Sequence, residues 1–588
     1  MHVGAGATPT RVSRPWGRLA RIAAEAGGAF VVVAAASWPL VFSDATFNKD
    51  WLNHLWYMWH QSIAIREHHL PSLFLNYSQG VFYPIYAFYG GTLYALVGTL
   101  SLLFGDAPLQ TYVLSYLLGF FAAYGGWYWI ARTFGVRGWT AHIPGLVFVT
   151  SASYLTTVYA LGDWPEFIAV SMIPLMIAAA ISLVRSPRVR LGPAVALTVS
   201  SVVFFGSHLL TVIWGSTVLI LVAGAILLLA PGVRRALTKA GVLRVAAFLL
   251  PAMLVSAWFL VPTIAYESHT FIAHAYPHYR ALLHQTLYIV AAHNLFSLSR
   301  SPSPGSIVSE SLPILAIAWV LSSLAILVWS GIRGTSTRVL MIIVAATTVL
   351  LVVMAHAGVI LALPRLYATL QFSFRLEALA LLGVSGAMVC VLAAAKDAPS
   401  RLRRWTWLLV PVAAVSVIGA IEQTADHPSG QARSSALASY LEPPPERFGQ
   451  FDYLDYRLAR DELPAHTERR LPLVQFPVST VVRDGSASAV VRVPPSRLVA
   501  TNIRGGPDLV DVRGARIVGL DNRLDDVLEA SRPGTSTISV EPADHLPIVA
   551  GRLISLIALG FLLLQLGWIA ARSLRARTNA SRPIEPDD

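Results

Sequence analysis

Long apolar runs, repeated along most of the chain, limit its possible folds more than any other sequence feature. Of the 588 residues, 55% are hydrophobic and only 13% are charged, whereas a soluble domain carries about 25% charged residues. About 20 consecutive apolar residues cross the hydrocarbon core of a bilayer as a helix, because a helix satisfies its own backbone hydrogen bonds. The sequence therefore predicts an all-α polytopic membrane protein.

The apolar runs and the charges between them predict how the chain crosses the membrane. Twelve runs are long enough to be considered as spans: 26–43, 109–132, 141–160, 165–184, 192–206, 208–230, 244–262, 312–331, 338–356, 376–395, 405–421 and 549–571. With the N-terminus in the cytoplasm, every loop that returns to that side is basic, as the positive-inside rule requires. A further apolar segment, 88–104, would reverse this pattern if it crossed fully. It is therefore predicted to be a helix that dips into the membrane from the outer side.

These predictions divide the chain into a membrane part and one insert. The divisions are a cytoplasmic segment 1–25, a transmembrane domain 26–421 with outward loops 44–108 and 263–311, an extracytoplasmic segment 422–548, a final span 549–571 and a cytoplasmic tail 572–588. In the insert, polar and apolar residues alternate with period two at 487–493, 497–503 and 536–542. This alternation predicts a small antiparallel β-sandwich. Its role, as a lid or in recognising an acceptor or carbohydrate, stays open.

The net charge of +12 does not indicate nucleic-acid binding, because much of it lies in the short cytoplasmic loops. Membrane lipids are the expected partners of these loops, and no nucleic acid is expected. The single cysteine, Cys390, excludes a disulfide framework within the chain.

The first outward loop contains the strongest candidate for a catalytic base. Read as a helix, residues 47–71 place four polar residues on one face: Asp50, His54, Tyr57 and Gln61. Its tryptophans are expected at the level of the lipid headgroups: Trp51, Trp56 and Trp59. A carboxylate at this level can accept a proton from a hydroxyl, which is the role predicted for Asp50. The alternative is that Asp50 only stabilises the helix N-terminus, and that His54 is an ordinary hydrogen-bonded surface group.

Further candidates lie at the outward ends of later spans. Asp163 and Glu166 stand three residues apart in the helix start GDWPEF, where capping is a complete alternative explanation. His208 begins a span after two small residues, and an interhelical hydrogen bond is its alternative role. Arg375 at the outward start of another span is costly unless it is paired or binds an anion. Its alternatives are a salt bridge to Glu377 or contact with headgroups.

The third outward loop is rich in histidine and adds two candidates, His278 and Arg280. Its histidines are His269, His274, His278, His284 and His293. Pro277 interrupts the only helical pairing among them, and no carboxylate beyond Glu267 completes a ligand set. A loop that lines an acceptor groove is therefore favoured over structural zinc. Arg365 is a further candidate cation on the outer face.

An ordered set of segments resembles the GT-C class of integral membrane glycosyltransferases. The first outward loop with Asp50 is followed by GVFYPIY at 80–86, which contains Tyr83. Segments 160–176 and 206–214 and the segment 370–387 with Gln371 and Arg375 fit the same pattern, although Ser373 stands where proline is usual. More narrowly, the chain resembles bacterial membrane proteins described as 6-pyruvoyl-tetrahydropterin-synthase-related and as YfhO-like.

This resemblance implies an inverting transferase that takes a sugar from a polyprenyl-phosphate donor. The acceptor is a cell-envelope glycan or glycolipid, and the active face is outside the bacterial plasma membrane. Asp50 corresponds to the catalytic base, with Asp163 or Glu166 as the second acidic residue. The substrate-binding candidates are His54, Tyr83, His208, His278, Arg280, Arg365, Gln371 and Arg375. The sequence requires no cofactor and leaves a divalent metal ion open.

The sequence leaves two other classes of function open. One is a lipid or glycolipid transporter or flippase, although the internal repeats and mid-membrane charges typical of transporters are not evident. The other is a non-catalytic envelope-assembly protein with the same fold.

Overall fold

The computed structural model shows a multi-pass membrane protein. It describes residues 15–44, 47, 49–68, 70–76, 82–270, 313–332, 334–368, 370, 373–395, 404–425, 433, 471–474, 476, 487–521 and 525–580. Within these ranges seven helices are long and apolar enough to cross a membrane, or up to nine spans if each of two bent helix pairs counts as one.

The helices follow one another with short connections through most of the chain. Up to residue 270 they are α1 (Pro15–Phe42), α2 (Lys49–His68), α3 (Ile85–Phe88), α4 (Gly91–Leu103), α5 (Pro108–Thr133), α6 (Ile143–Val149), α7 (Ala152–Thr156), α8 (Trp164–Arg185), α9 (Leu191–Phe205), α10 (Leu209–Leu229), α11 (Pro231–Ala236), α12 (Lys239–Leu254) and α13 (Ala257–Tyr266). After residue 312 they are α14 (Ile314–Trp329), α15 (Thr335–Ala355), α16 (Ala357–Ala362), α17 (Arg365–Ala368), α18 (Glu377–Ala394), α19 (Leu409–Ala425) and α20 (Leu546–Ala580). Short 3-10 or π turns lie at Gly138–His142, Thr157–Leu161, Glu267–His269, Ser373–Leu376 and Thr406–Leu408.

Every predicted span contains helix, but the helices differ in their ability to cross. α9 has 15 residues, and a helix of that length rises only about 22 Å, less than the roughly 30 Å of hydrocarbon. Two predicted spans are bent pairs, with angles of 48° at residues 138–161 and 66° at residues 239–269. Segment 88–104 forms α4, a helix of 13 residues. The number of crossings and the depth of α4 therefore stay predictions.

The most extensive helix packing in the described part of the chain joins α5 and α8. Gly126 of α5 makes this approach possible, since a Cβ atom there would lie 2.4 Å from the backbone nitrogen of Leu175. Small residues at such positions let helix backbones come close where water does not drive association. This packing fixes the start of α8, where two of the candidate site residues lie.

The predicted helix in the first outward loop is confirmed as α2, and two of its tryptophans are buried inside the protein. Trp51 and Trp56 are 0% and 1% exposed, and their level relative to the lipid headgroups stays a prediction. Trp51 packs edge-on against Tyr112 of α5, with 5.1 Å between ring centroids. Protein rather than lipid surrounds these rings, because α2 is held against α4 and α5.

The predicted strands after residue 470 are present. The strands of the chain are β1 (Leu75–Asn76), β2 (Phe82–Tyr83), β3 (Leu473–Val474), β4 (Ala487–Val493), β5 (Leu498–Thr501), β6 (Val510–Arg513), β7 (Ala515–Leu520), β8 (Asp526–Ala530) and β9 (Gly534–Pro542). β1 and β2 pair with each other, β3-β5-β8-β7 form one sheet, and β4-β9-β6 form another. The pairing of β3 with β5 is parallel, so the expected purely antiparallel arrangement is wrong there. The chain reaches β5 from β3 by a long connection rather than by a tight hairpin. The sandwich itself stays a prediction.

The strand region contacts loops of the helical part of the chain. His269, after α13, pairs with Asp508 through a contact of 2.7 Å between Nδ1 and Oδ2. A Cβ atom on Gly505 would lie 3.7 Å from the ring of Phe74, in the first outward loop. The strands thus lie beside the same loops that carry the candidate residues.

Candidate functional site

Three of the predicted site residues meet Arg375 at one point. Asp163 precedes α8 and caps it, since its Oδ1 accepts a hydrogen bond from the backbone N–H of Glu166 at 3.2 Å. His208 directly precedes α10 without a side-chain capping hydrogen bond, and Arg375 lies in the 3-10 turn just before α18. All four side chains therefore stand at or next to the beginnings of helices.

The guanidinium of Arg375 contacts each of the other three side chains. Its Nη2 lies 3.2 Å from Oδ2 of Asp163, and its Nε lies 3.6 Å from Oε2 of Glu166. Its Nη1 lies 2.6 Å from Nε2 of His208. The side chains of Arg375, Asp163 and Glu166 are only 14%, 11% and 3% exposed. Capping was predicted as a complete explanation for Asp163, but it is not sufficient. The residue both caps α8 and pairs with a distant arginine.

These contacts decide the protonation of His208. An arginine side chain only donates hydrogen bonds, so Nε2 of His208 must accept one and Nδ1 must carry the proton. That proton is directed to Oγ1 of Thr211, 2.8 Å away. Burial, together with the nearby charge of Arg375, lowers the pKa of His208 to about 3. The imidazole is therefore neutral at physiological pH.

The carboxyl group of Asp163 is ionised. Burial disfavours its charged form, but Arg375 and the backbone N–H of Glu166 outweigh this and hold the pKa of Asp163 well below its usual range. The hydroxyl of Tyr89 donates a further hydrogen bond to its Oδ1, at 3.3 Å. Asp163 thus holds the cation of the site in place and does not act as an acid.

Aromatic residues join this cluster to α2. The ring of Tyr89 stacks on His54 with 5.9 Å between centroids and meets His208 edge-on at 5.6 Å. Nδ1 of His54 lies 2.7 Å from the hydroxyl of Tyr94. Tyr89 and Tyr94 were not among the predicted site residues. Tyr89 follows an aromatic stretch without regular periodicity and Tyr94 lies in the apolar segment 88–104, so no local pattern distinguished them.

Asp50 is the exposed member of the group, on the first turn of α2. Burial lowers the pKa of His54, and the carboxylates of Asp163 and Asp50 act in the opposite direction. The backbones next to Asp50 and Asp163 also lie close to each other. Gly162 has φ +69°, and a Cβ atom there would lie 2.6 Å from the backbone nitrogen of Trp51. Glycine is thus required between the start of α2 and Asp163.

The same cluster has the donor atoms of a metal site. One atom each from Asp163, Glu166 and His208 lies within 4.8 Å of the others, a spacing that suits carboxylate and imidazole ligands of a divalent ion. Arg375 already contacts all three side chains, and its hydrogen bond occupies the lone pair on Nε2 of His208. A metal ion would have to displace the guanidinium, so these residues do not fit a resident metal while Arg375 holds this position.

An apolar groove of about 910 Å³ begins beside the cluster. It runs between α10 and α15, with Trp214 and Leu221 on one wall and Met341 and Val349 on the other. Tyr367 lines it near the outward end and shares a hydrogen bond of 2.8 Å with Thr217. The 3-10 turn that carries Arg375 contacts α15. A long hydrocarbon chain in this groove would therefore end near Arg375.

For several predicted site residues, the described part of the structure shows no contact with the cluster. Tyr83 is buried in β2, at 1% exposure. His278, Arg280 and Gln371 lie outside the described residues, as does the side chain of Arg365. Their proposed contacts with substrate stay predictions.

Comparison of the sequence with known proteins does not assign the chain to a family. No protein-family model matches the chain, and no curated protein is significantly similar to it. Among solved structures, the arabinofuranosyltransferase AftD from Mycobacteria has 17% identity and a TM-score of 0.37, over 74% of this chain and 27% of that one. The apo oligosaccharyltransferase from Archaeoglobus fulgidus has 12% identity and a TM-score of 0.43, over 74% of this chain and 59% of that one.

A third solved structure is ArnT from Cupriavidus metallidurans bound to undecaprenyl phosphate. It has 14% identity and a TM-score of 0.28, over 65% of this chain and 78% of that one. The chain thus spans about a quarter of AftD and somewhat more than half of the oligosaccharyltransferase. At these scores the similarity by itself establishes neither the fold nor the activity of this chain.

Proposed function

We propose that this membrane protein is a GT-C-like glycosyltransferase that uses a polyprenyl-phosphate sugar donor. The acceptor is a glycan or glycolipid on the extracytoplasmic face of the bacterial plasma membrane. The observation that carries the proposal is the convergence of Arg375, Asp163, Glu166 and His208, with Asp50 and His54 beside them. Such a site combines an accessible carboxylate with a held cation, the two groups that transfer from a lipid phosphate requires.

In this mechanism Asp50 is the general base. Its carboxylate takes the proton from an acceptor hydroxyl while that oxygen forms a bond to the anomeric carbon of the sugar. The bond from the anomeric carbon to the phosphate oxygen breaks, and the electron pair leaves with the polyprenyl phosphate. Attack from the face opposite the phosphate inverts the configuration. The exposed position of Asp50 supports this role, because the acceptor must reach the base.

Arg375 is the proposed partner of the leaving phosphate, which gains negative charge as the bond breaks. Asp163 and Glu166 already contact the guanidinium, so a phosphate must draw Arg375 partly away from them. The contact to Glu166 is the one that yields first, since 3.6 Å exceeds hydrogen-bond length. The beginnings of α8, α10 and α18 support anion binding further, because a helix N-terminus carries partial positive charge.

The groove between α10 and α15 is the proposed binding site of the prenyl chain. Its walls are mainly aliphatic, and its outward end lies beside the element that carries Arg375. A chain bound there would place its phosphate near the guanidinium and its sugar toward Asp50. Tyr89 and His54 are the proposed walls of the sugar site, because their rings stack and the hydroxyl of Tyr89 donates a hydrogen bond to Asp163.

The Asp50→Asn variant tests the proposal directly. In membranes supplied with labelled polyprenyl-phosphate sugars, we expect it to lose transfer by about 10²-fold or more, because a general base contributes roughly 10²–10⁴-fold. Asp106→Asn is the matched control, since Asp106 belongs to the same outward loop and forms an exposed ion pair with Arg66.

Undiminished transfer by the Asp50→Asn variant would exclude Asp50 as the base. If the wild-type protein transfers no sugar from a panel of donors but moves fluorescent lipid between leaflets, the protein is a flippase instead. Loss of activity in both Asp50→Asn and Asp106→Asn would indicate damage to the loop and not to the chemistry.

A further inference from the structure

A second arginine, Arg433, lies at the outward end of α1 and is not part of the cluster around Arg375. It is 6% exposed. Its backbone N–H donates to the carbonyl of Asp44 at 2.6 Å. Its Nη1 and Nη2 donate to the carbonyls of Leu40 and Pro39 at 2.9 and 3.1 Å. These carbonyls belong to the last turn of α1, the negative end of its dipole, and that of Pro39 also accepts the backbone N–H of Ser43.

The same guanidinium also contacts the residues that lead into α2. Its central carbon lies 5.4 Å from the ring centroid of Phe47 and 5.3 Å from that of Trp51. These are cation–π distances, and such contacts strengthen where water is excluded. The two rings also meet edge-on at 5.8 Å. One side chain therefore joins the end of α1 to the first turn of α2.

Trp51 connects this clamp to the proposed site. It follows Asp50 directly and is 0% exposed. Its carbonyl accepts a hydrogen bond of 3.0 Å from Tyr112, and its backbone nitrogen abuts Gly162, the neighbour of Asp163. A shift of Trp51 would move Asp50 and disturb the backbone beside Asp163 together.

We infer that Arg433 is a positioning residue that sets where Asp50 stands relative to the rest of the site. The inference rests on the proposed role of Asp50 as the base. Arg433 comes from the segment that follows α19, so the chain between the membrane helices and the strand region controls the geometry of the first outward loop. A lysine cannot replace it, because the planar guanidinium donates to two carbonyls while facing two rings.

Kinetics of Arg433→Ala and Arg433→Lys test this role. We expect kcat to fall about 10²-fold in the alanine variant, as for a displacement of about 1 Å in an active site, while KM for the donor stays close to wild type. Arg433→Lys should recover little of the loss. Added guanidinium at low concentration should restore part of kcat to Arg433→Ala and none to Asp50→Asn. Arg66→Ala is the control, since Arg66 lies on α2 in an exposed ion pair.

A chemical readout tests the positioning without relying on transfer. Asp50→Cys is prepared in a Cys390→Ser background and labelled with a membrane-impermeant maleimide. Adding Arg433→Ala should raise the labelling rate several-fold, and adding Arg66→Ala should leave it unchanged. If Asp50→Asn retains full transfer, the proposed base is wrong, while the labelling rates still test the clamp.

The inference is overturned if Arg433→Ala keeps the wild-type kcat, or if it leaves the labelling rate at residue 50 unchanged. Should the alanine variant fail to fold, Phe47→Leu removes one ring of the clamp and leaves the carbonyl contacts in place. That variant should show smaller changes in the same direction, and unchanged kcat and labelling in Phe47→Leu would equally overturn the role of Arg433.

Discussion

Arg375 is the residue on which the charge balance of the site depends. It neutralises one of two buried carboxylates, and its hydrogen bond holds the neutral form of His208. Burial alone would make such an assembly unfavourable, since each ion loses its hydration on leaving water. The assembly is stable because every member contacts the same planar guanidinium. Such a held and oriented cation suits a reaction in which negative charge develops on a leaving phosphate.

Replacing this arginine should affect both stability and activity. Arg375→Met leaves Asp163 and Glu166 without their cation, and we expect a loss of about 3–5 kcal/mol in unfolding free energy. The double variant with Asp163→Asn should recover part of that loss, because one buried charge is removed with its partner. Thermal unfolding in detergent measures both effects.

Arg375→Lys separates charge from shape. A lysine keeps the positive charge but cannot contact three side chains in one plane, so transfer should fall about 10²-fold. Arg497→Lys, in an exposed pair with Glu529, is the comparison variant and should behave as wild type. Equal activity of Arg375→Lys and wild type would contradict the proposed role of the guanidinium.

At the scale of elements, the site is built from helix beginnings. Asp50 lies in the first turn of α2, Asp163 and His208 directly precede α8 and α10, and Arg375 directly precedes α18. A side chain at a helix start is fixed by the backbone of the helix that follows. This arrangement brings these side chains together although they come from distant parts of the chain.

Gly162 permits the close approach of α2 to the start of α8. Gly162→Ala should place Cβ against the backbone of Trp51, so we expect loss of transfer beyond the cost of the left-handed conformation, which is roughly 1–2 kcal/mol. Gly105→Ala is a matched control, because Gly105 has φ +80° and open space around its Cβ position. Equal effects of the two variants on transfer would show that strain alone, and not the contact with Trp51, matters.

At the scale of the whole molecule, elements from across the sequence meet around the site. Arg433 holds α1 to α2, His269 pairs with Asp508 in the strand region, and one wall of the groove, α15, contacts the turn that carries Arg375. Buried ionisable groups in such a region make the stability of the protein depend on pH.

The free energy of unfolding should decrease as the pH falls. The lowered pKa of His208 determines this direction. Its folded pKa of about 3 is far below its value in the unfolded chain, which is about 6.5. Between these values the unfolded chain binds one more proton, so stability falls by about 1.4 kcal/mol per pH unit as pH decreases. His54 acts in the same direction. Thermal unfolding between about pH 7 and pH 4.5 measures the slope, and His208→Gln should flatten it. An unchanged slope in that variant would contradict the assignment.

Local pattern in the sequence was sufficient for the membrane class, for helix in each predicted span and for the strands near the C-terminus. A hydropathy pattern extends over a few turns of helix, and period-two alternation extends over one strand. Residues close together in the sequence are therefore sufficient to predict these elements. The capping role of Asp163 was visible for the same reason, because a cap and the backbone group that it binds lie three residues apart. The long apolar runs thus determined where the helices form.

Only the tertiary structure decided which residues meet. Arg375 and His208 are 167 positions apart, and Arg433 and Leu40 are 393 apart. The helical period carries no information about such pairs, because it does not specify how helices pack. Packing also decided that Trp51 and Trp56 are buried against other helices, which their amphipathic rings did not indicate. The sequence thus placed ionisable groups at helix starts, and the packing of the helices joined them into one cluster.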